Sequence, residues 1–216
     1  MLELLAGRPR ALSRILCLGA HCDDIEIGCG GTVLKLLEQN PDAHVDWIVF
    51  SSDAEREAEA RAGAAAILGE ADATVVVKDF RQRFFPYTAD EIKDFFDELG
   101  AGPRPDVVFT HFGDDRHQDH VLLSQLAYNT WRDHLILEYE IPKWDGDLGR
   151  PSVYVRLDPS HAERKVETIW NTFVSQRDKH WFTRETFTSL MRLRGIECKA
   201  PSGYAEAFYC RKLVLA

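Results

Sequence analysis

Two clusters of histidine and aspartate in this sequence could together bind a metal ion. The first is His21-Cys22-Asp23-Asp24, and the second runs from His111 to His120. Imidazole nitrogens and carboxylate oxygens are ligands of catalytic zinc, which keeps one position open for water. A mixed set of nitrogen and oxygen ligands suits Zn²⁺ better than Mg²⁺, which prefers oxygen. The sequence therefore predicts a zinc site, provided that the fold brings the two clusters together.

Each cluster directly follows a predicted β-strand. The apolar run over Arg14–Ala20 precedes the first cluster, and the run over Asp106–Thr110 precedes the second. Short continuous apolar runs are typical of buried parallel strands. Because such strands end at one edge of their sheet, where ligands collect, we expect the two clusters to be neighbours there.

Strands and helices alternate along the rest of the chain. Further strands are predicted over Val45–Phe50, Thr74–Val77, Leu135–Ile141 and Ala207–Val214, and helices over Gly31–Glu38, Asp53–Leu68, Ala89–Leu99, 121–131 and Ser160–Phe173. Such alternation predicts a Rossmann-like α/β fold, a mostly parallel sheet with helices on both faces. The length of 216 residues suits a single domain over residues 1–216.

Bulk composition excludes several classes of protein. A formal net charge of −9 argues against a nucleic-acid-binding surface, which needs clustered lysine and arginine. We expect neither a signal peptide nor a membrane anchor in the N-terminal residues, because Arg8, Arg10 and Arg14 interrupt the apolar runs. Five cysteines without a C-x-x-C pair fit a reducing cytoplasm better than a disulfide framework. We therefore expect a cytoplasmic protein, and a homo-oligomer is compatible with the sequence.

A glycine-rich segment over residues 28–31 has two interpretations. It could be a phosphate-binding loop for a dinucleotide. However, it lacks the G-x-G-x-x-G spacing directly after the strand, and Asp23 and Asp24 would repel a pyrophosphate. Close packing of a helix on the sheet is the favoured interpretation.

The segment GAHCDDIEIGCGGT over residues 19–32 resembles the signature of the PIG-L/LmbE-like N-deacetylases. The HQDH tetrapeptide at 117–120 resembles a second element of that family, and Ser175-Gln176 and residues 205–208 resemble weaker ones. The resemblance implies a Rossmann-like fold and a hydrolase that removes an N-acetyl group from an amino-sugar-containing small molecule or glycoconjugate. It also implies a Zn²⁺ ion held by His21, Asp24 and His120, with catalytic roles for Asp23, His117 and Asp119.

Two positions depart from the family pattern, since the family usually has proline where this chain has Cys22 and Gln118. Loss of proline frees φ at these positions and adds flexibility or room for a different substrate. Cys22 is itself an alternative metal ligand, because thiolate binds zinc well. Its neighbours already supply a ligand set, so the thiol is the less favoured choice.

The residue types suggest how the reaction would proceed. Asp23 is the predicted general base that takes a proton from the attacking water. If Asp119 accepts the second ring N–H of His117, then His117 becomes an imidazolium that donates to the developing oxyanion. The alternative for Asp119 is that it only caps the helix that follows.

Candidate substrate-binding residues are Arg56, Arg116 and Glu206. Arg56 lies among alternating charges on a predicted helix, so simple solvation is an equal alternative.

Two rival functions remain open at this point. One is an amidase acting on a thiol conjugate or another non-sugar amide, and the other is a non-catalytic sugar- or nucleotide-binding module, which would not need the complete set of histidines and aspartates.

Overall fold

One seven-stranded sheet organises the chain in the computed structural model, which describes residues 12–214. The strands are β1 (Arg14–Gly19), β2 (His44–Val49), β3 (Ala73–Val77), β4 (Val107–His111), β5 (Leu135–Tyr139), β6 (Val153–Leu157) and β7 (Tyr204–Tyr209). Residues 1–11, for which we expect no signal peptide, lie outside the described residues.

The strand order is β3-β2-β1-β4-β5-β7-β6, with parallel pairing from β3 through β5. The predicted Rossmann-like, mostly parallel sheet is thus confirmed. β7 pairs antiparallel with both β5 and β6, so the sheet is mixed at one edge. The strand β6 was missed by sequence analysis, since this edge strand is mostly half-buried and its apolar pattern is weak.

Six α-helices within residues 12–214 cover the two faces of the sheet. They are α1 (Asp24–Gln39), α2 (Ala54–Leu68), α3 (Ala89–Ala101), α4 (Gln118–Thr130), α5 (Pro159–Thr172) and α6 (Arg184–Glu197), and α6 was not predicted. Successive residues of β1 enter different cores: Ile15 belongs to the core that includes residues of α1, α2, α5 and α6, whereas Leu16 belongs to the core that includes residues of α3 and α4. Burial on both faces explains the continuous apolar run of this strand.

The prediction that the first helix begins at Gly31 is wrong, because α1 begins at Asp24 and contains the whole glycine-rich segment. A Cβ atom on Gly28 would come within 2.1 Å of the Tyr139 ring, and one on Gly31 within 2.6 Å of Leu157. Glycine is therefore required for close packing of the helix, which outweighs its low helix propensity. These glycines form a packing surface, as the favoured interpretation expected, and not a phosphate-binding loop.

All five cysteines are free, and four of them are buried. Within residues 12–214, no helix has both the length and the apolar character needed to cross a bilayer.

Candidate metal centre

The ends of β1 and β4 bring the two clusters together. These strands are parallel neighbours, with Cys17 paired to Phe109. His21 and Asp23 lie in the turn between β1 and α1, and Asp24 is the first residue of α1. His120 lies in the first turn of α4, which follows β4. Parallel pairing therefore places residues from both clusters at one edge of the sheet, as the sequence predicted.

Three side chains form a triangle of possible ligand atoms, which we call the ligand triangle: His21 Nδ1, Asp24 Oδ2 and His120 Nε2. The two nitrogens lie 3.1 Å apart, and the Asp24 oxygen lies 3.2 Å from His21 Nδ1 and 3.6 Å from His120 Nε2. All three residues are buried. The structure thus gathers the three residues that the family resemblance implied as ligands.

The dimensions of the ligand triangle fit a tetrahedral zinc ion. Bonds of about 2.0–2.2 Å place tetrahedral ligand atoms about 3.3–3.6 Å apart, close to the observed spacing. The described residues offer two overlapping groups that could hold a metal, His21/His117/His120 and Asp24/His111/His120. His111 is a poorer metal ligand than the other histidines, because the lone pair of its Nε2 already accepts a hydrogen bond from the Ala20 N–H at 3.0 Å.

A carboxylate orients each of the two imidazoles in the ligand triangle. His21 Nε2 lies 3.2 Å from Asp119 Oδ2, and His120 Nδ1 lies 3.0 Å from Asp115 Oδ2. Such pairs fix the ring orientation and increase the basicity of the nitrogen that faces the metal. Burial tends to raise the pKa of Asp115, but His120 and Lys143 outweigh it and hold the pKa well below its usual range. Asp115 is therefore an ionised acceptor.

The electrostatics of the triangle favour a bound cation. Although burial tends to raise the pKa of Asp24, the surrounding histidines lower it well below its usual value. Burial and the neighbouring His111 together lower the pKa of His120 to about 3. Burial also tends to lower the pKa of His21, but Asp24 and Asp119 raise it to about 9. In the metal-free protein, one proton on His21 balances the Asp24 carboxylate, and a divalent cation would replace that proton.

The expected pairing of the Asp119 carboxylate with His117 is wrong. Asp119 binds His21 instead, and it also accepts hydrogen bonds from the backbone N–H groups of Arg83 at 2.6 Å and Phe85 at 3.2 Å. His117 is the N-cap of α4, and its Nδ1 accepts from the Asp119 N–H at 3.2 Å. The ring proton of neutral His117 therefore lies on Nε2. Burial and the nearby His21 lower the pKa of His117, which favours this neutral donor over the predicted imidazolium.

Asp23 lies next to the ligand triangle and is paired with Arg56. The Arg56 Nη2 group donates to Asp23 Oδ1 at 2.8 Å, and both side chains are largely buried. Arg56 thus contacts the predicted general base, while its predicted contact with substrate stays a prediction. Cys22 points elsewhere and donates to the Ser51 carbonyl oxygen at 3.2 Å. Burial raises the pKa of this thiol to about 12, which disfavours the thiolate needed for a metal ligand.

The other two predicted substrate-binding residues differ in position. Arg116 is exposed and immediately precedes His117. The Glu206 carboxylate lies away from the ligand triangle and accepts from the backbone N–H groups of Gly31 at 3.0 Å and Thr32 at 2.6 Å. Lys165 donates to the same carboxylate. These contacts connect β7 and α5 to α1, so the role that they indicate for Glu206 is structural.

Sequence analysis included His111 and Asp115 in the second cluster but gave neither a role, and it missed Lys143. The His111 Nε2 atom lies 3.3 Å from Asp24 Oδ2, and Lys143 Nζ lies 2.9 Å from Asp115 Oδ2. His111 ends β4, and its position at the edge of the sheet could have identified it. The loop after β5 carries no local signal that points to Lys143.

Comparison with known proteins identifies a family whose model matches the segment that contains most of this site. Residues 16–131 match the model of the PIG-L family, described as GlcNAc-PI de-N-acetylase. The matched segment contains the ligand triangle, Asp23, His117 and Asp119. No curated protein matched the chain.

Several solved structures share the fold over nearly the whole chain. A conserved protein of Thermus thermophilus has a TM-score of 0.71 at 18% identity, covering 95% of this chain and 97% of its own. The 4-carboxy-2-hydroxymuconate hydratase of Pseudomonas putida has a TM-score of 0.71 at 18% identity, covering 95% and 98%. The N,N'-diacetylchitobiose deacetylase of Pyrococcus horikoshii has a TM-score of 0.70 at 19% identity, covering 96% and 88%. At these identities the likeness shows the fold alone.

Proposed function

This chain belongs to the PIG-L family of GlcNAc-PI de-N-acetylases, and we propose that it removes an N-acetyl group from an amino-sugar-containing molecule with one Zn²⁺ ion. The observation that carries the proposal is the ligand triangle with Asp23 beside it. Its spacing suits zinc, and its two imidazoles are held by Asp119 and Asp115. A binding module that performs no chemistry would not need this arrangement.

Amide hydrolysis needs an activated water, a stabilised oxyanion and a proton for the departing amine. Zinc in the triangle would supply Lewis-acid chemistry, lowering the pKa of water and polarising the acyl carbonyl. Asp23 accepts the proton of the attacking water and delivers it to the amine nitrogen. The Arg56 hydrogen bond to Oδ1 fixes the orientation of that carboxylate. General acid–base catalysis by such a group typically contributes about 10²–10⁴-fold in rate.

His117 stabilises the oxyanion as a neutral hydrogen-bond donor. Its Nδ1 is an acceptor for the Asp119 N–H, so Nε2 presents the proton. The ring centroid lies 4.7 Å from that of His21 and 4.6 Å from that of His120, which places the donor beside the triangle. A donor fixed by its backbone contact requires little reorganisation during the reaction.

The test is release of acetate and a primary amine by the zinc-loaded protein. The panel contains N-acetylglucosamine, its 1-phosphate, N-acetylated amino acids and, because the hydratase from Pseudomonas putida shares the fold, an unsaturated dicarboxylic acid. We expect equal amounts of acetate and amine from the sugars. Turnover confined to non-sugar amides would show that the substrate is not an amino sugar, although the enzyme would still be an amide hydrolase. Hydration of the unsaturated acid without release of an amine would refute the proposed deacetylase activity.

A further inference from the structure

Arg83 has an unusual backbone conformation for its residue type. Its φ is 68°, and only one other non-glycine residue within 12–214 has a positive φ. Arg83 is the third residue of the turn closed by the hydrogen bond from the Phe84 N–H to the Arg81 oxygen at 3.1 Å. Glycine or asparagine normally supplies a positive φ at this position. The turn itself therefore gives no reason for an arginine.

The other such residue, Lys199, has an ordinary explanation. It follows the end of α6, and its N–H donates to the Ile196 oxygen at 3.2 Å. A left-handed residue is common directly after a helix, where it satisfies free carbonyl groups. Arg83 terminates no helix, so its strain needs a different reason, and strained residues of this kind cluster at functional sites.

Two hydrogen bonds hold the Arg83 backbone at the metal centre, one at its N–H group and one at its carbonyl oxygen. Its N–H donates to Asp119 Oδ2 at 2.6 Å, and this same oxygen lies 3.2 Å from His21 Nε2. Its carbonyl oxygen accepts from the side-chain amide of Gln118. Only the Asp119 carboxylate thus lies between the Arg83 backbone and the candidate metal ligand His21. The Arg83 side chain therefore starts at the edge of the metal centre.

The Arg83 guanidinium is exposed and has no ion pair, hydrogen bond or aromatic contact with any residue that the structure describes. By contrast, the guanidinium of neighbouring Arg81 stacks 3.5 Å above the Phe84 ring. Arg116, on the loop that leads to Gln118, is also exposed, and its only hydrogen bond to a described residue runs from its backbone N–H to Asp147. Two unpaired guanidinium groups therefore lie on the two segments that meet at Gln118.

We propose that Arg83 and Arg116 bind an anionic group, a phosphate or a carboxylate, attached to the sugar that carries the acyl group. This inference rests on the proposed deacetylase function and specifies the charge of its substrate. Guanidinium pairs with both oxyanions through two parallel hydrogen bonds, which gives a reason for an arginine at a turn position that glycine would occupy without strain.

Arg83→Gly tests the proposal, with Lys199→Gly as its matched control. Both substitutions remove an exposed cation and a positive-φ strain, but only Arg83 lies at the metal centre. The zinc-loaded variants are compared by kcat/KM on N-acetylglucosamine 1-phosphate, N-acetylglucosaminuronic acid and neutral N-acetylglucosamine. We expect Arg83→Gly to reduce the preference for the favoured anionic sugar over the neutral sugar by about tenfold, the loss of a charge-assisted contact. Lys199→Gly should leave the preference unchanged.

A binding measurement separates this proposal from the deacetylase function. Calorimetry with glucosamine 1-phosphate, glucosaminuronic acid and glucosamine requires no turnover. Tighter binding of an anionic ligand that weakens in Arg83→Gly supports the anion site, even if no N-acetyl sugar is hydrolysed. Equal affinity of the wild-type protein for anionic and neutral ligands, or an unchanged preference in Arg83→Gly, would overturn it. Melting temperatures show whether the variants fold, and relief of strain predicts no decrease for Arg83→Gly.

Discussion

Asp119→Asn should weaken zinc binding while the chain remains folded. The Asp119 side chain is fully buried and accepts three hydrogen bonds, from His21 Nε2 and the backbone N–H groups of Arg83 and Phe85. Asparagine has nearly the same shape but no negative charge. It therefore tests the carboxylate that orients His21 without creating a cavity.

The expected magnitudes follow from these contacts. An asparagine oxygen at the Oδ2 position keeps the bonds to Arg83 and His21, but the amide NH₂ then faces the Phe85 N–H, donor against donor. Leaving such a buried donor unsatisfied costs about 1–3 kcal/mol of folding free energy. Replacing an ionised partner of a metal-binding imidazole typically reduces metal affinity about 10–100-fold. Asp119→Asn should thus show both a moderate loss of stability and a larger zinc dissociation constant.

Competition with a chromogenic chelator measures the dissociation constant, and thermal unfolding of the metal-free protein measures stability. Asp114→Asn is the control, because Asp114 is an exposed aspartate on the loop before α4. A zinc dissociation constant within twofold of the wild-type value, in a variant that is folded, would refute the argument that Asp119 orients a ligand.

Four further predictions concern the site and its support. The wild-type protein should bind about one zinc ion per chain, and alanine at each residue of the ligand triangle should reduce the stoichiometry by metal analysis; unchanged stoichiometry in all three variants would contradict the ligand set. Asp23→Asn should keep zinc yet lose a factor on the order of a hundred in turnover, and a near-wild-type rate would remove Asp23 from the mechanism. Glu206→Gln should lower the unfolding free energy by about 1–3 kcal/mol, because Lys165 and two backbone N–H groups lose an ionised partner; an increased KM at unchanged stability would instead support the predicted substrate role. Gly63→Ala should destabilise the fold by about 1–3 kcal/mol in denaturant unfolding, because a Cβ there would lie 2.3 Å from Glu26 Oε1 and 2.8 Å from Phe173; full stability would show that this contact relaxes freely.

The local patterns of the sequence were sufficient for the core of the fold. Continuous apolar runs predicted β1 and β4 because both strands are buried on both faces, and such burial leaves a signal within a few residues. Because parallel strands end at one edge of a sheet, the two clusters could be predicted as neighbours, and the family resemblance then singled out His21, Asp24 and His120. The edge strand β6 and the helix α6 lie where that local signal is weak.

The sequence also determined which residue types are present near the metal, but only the tertiary structure decided how they pair. Asp119 lies two residues from His117 and 98 residues from His21, yet its carboxylate binds His21, because the turn into α4 directs it toward β1 and the Arg83 turn. Glu206 likewise pairs with backbone groups of α1, because packing of β7 on that helix buries its carboxylate. A buried polar group must find a partner wherever the packed chain supplies one. That partner depends on the three-dimensional arrangement of distant segments, which no local pattern records.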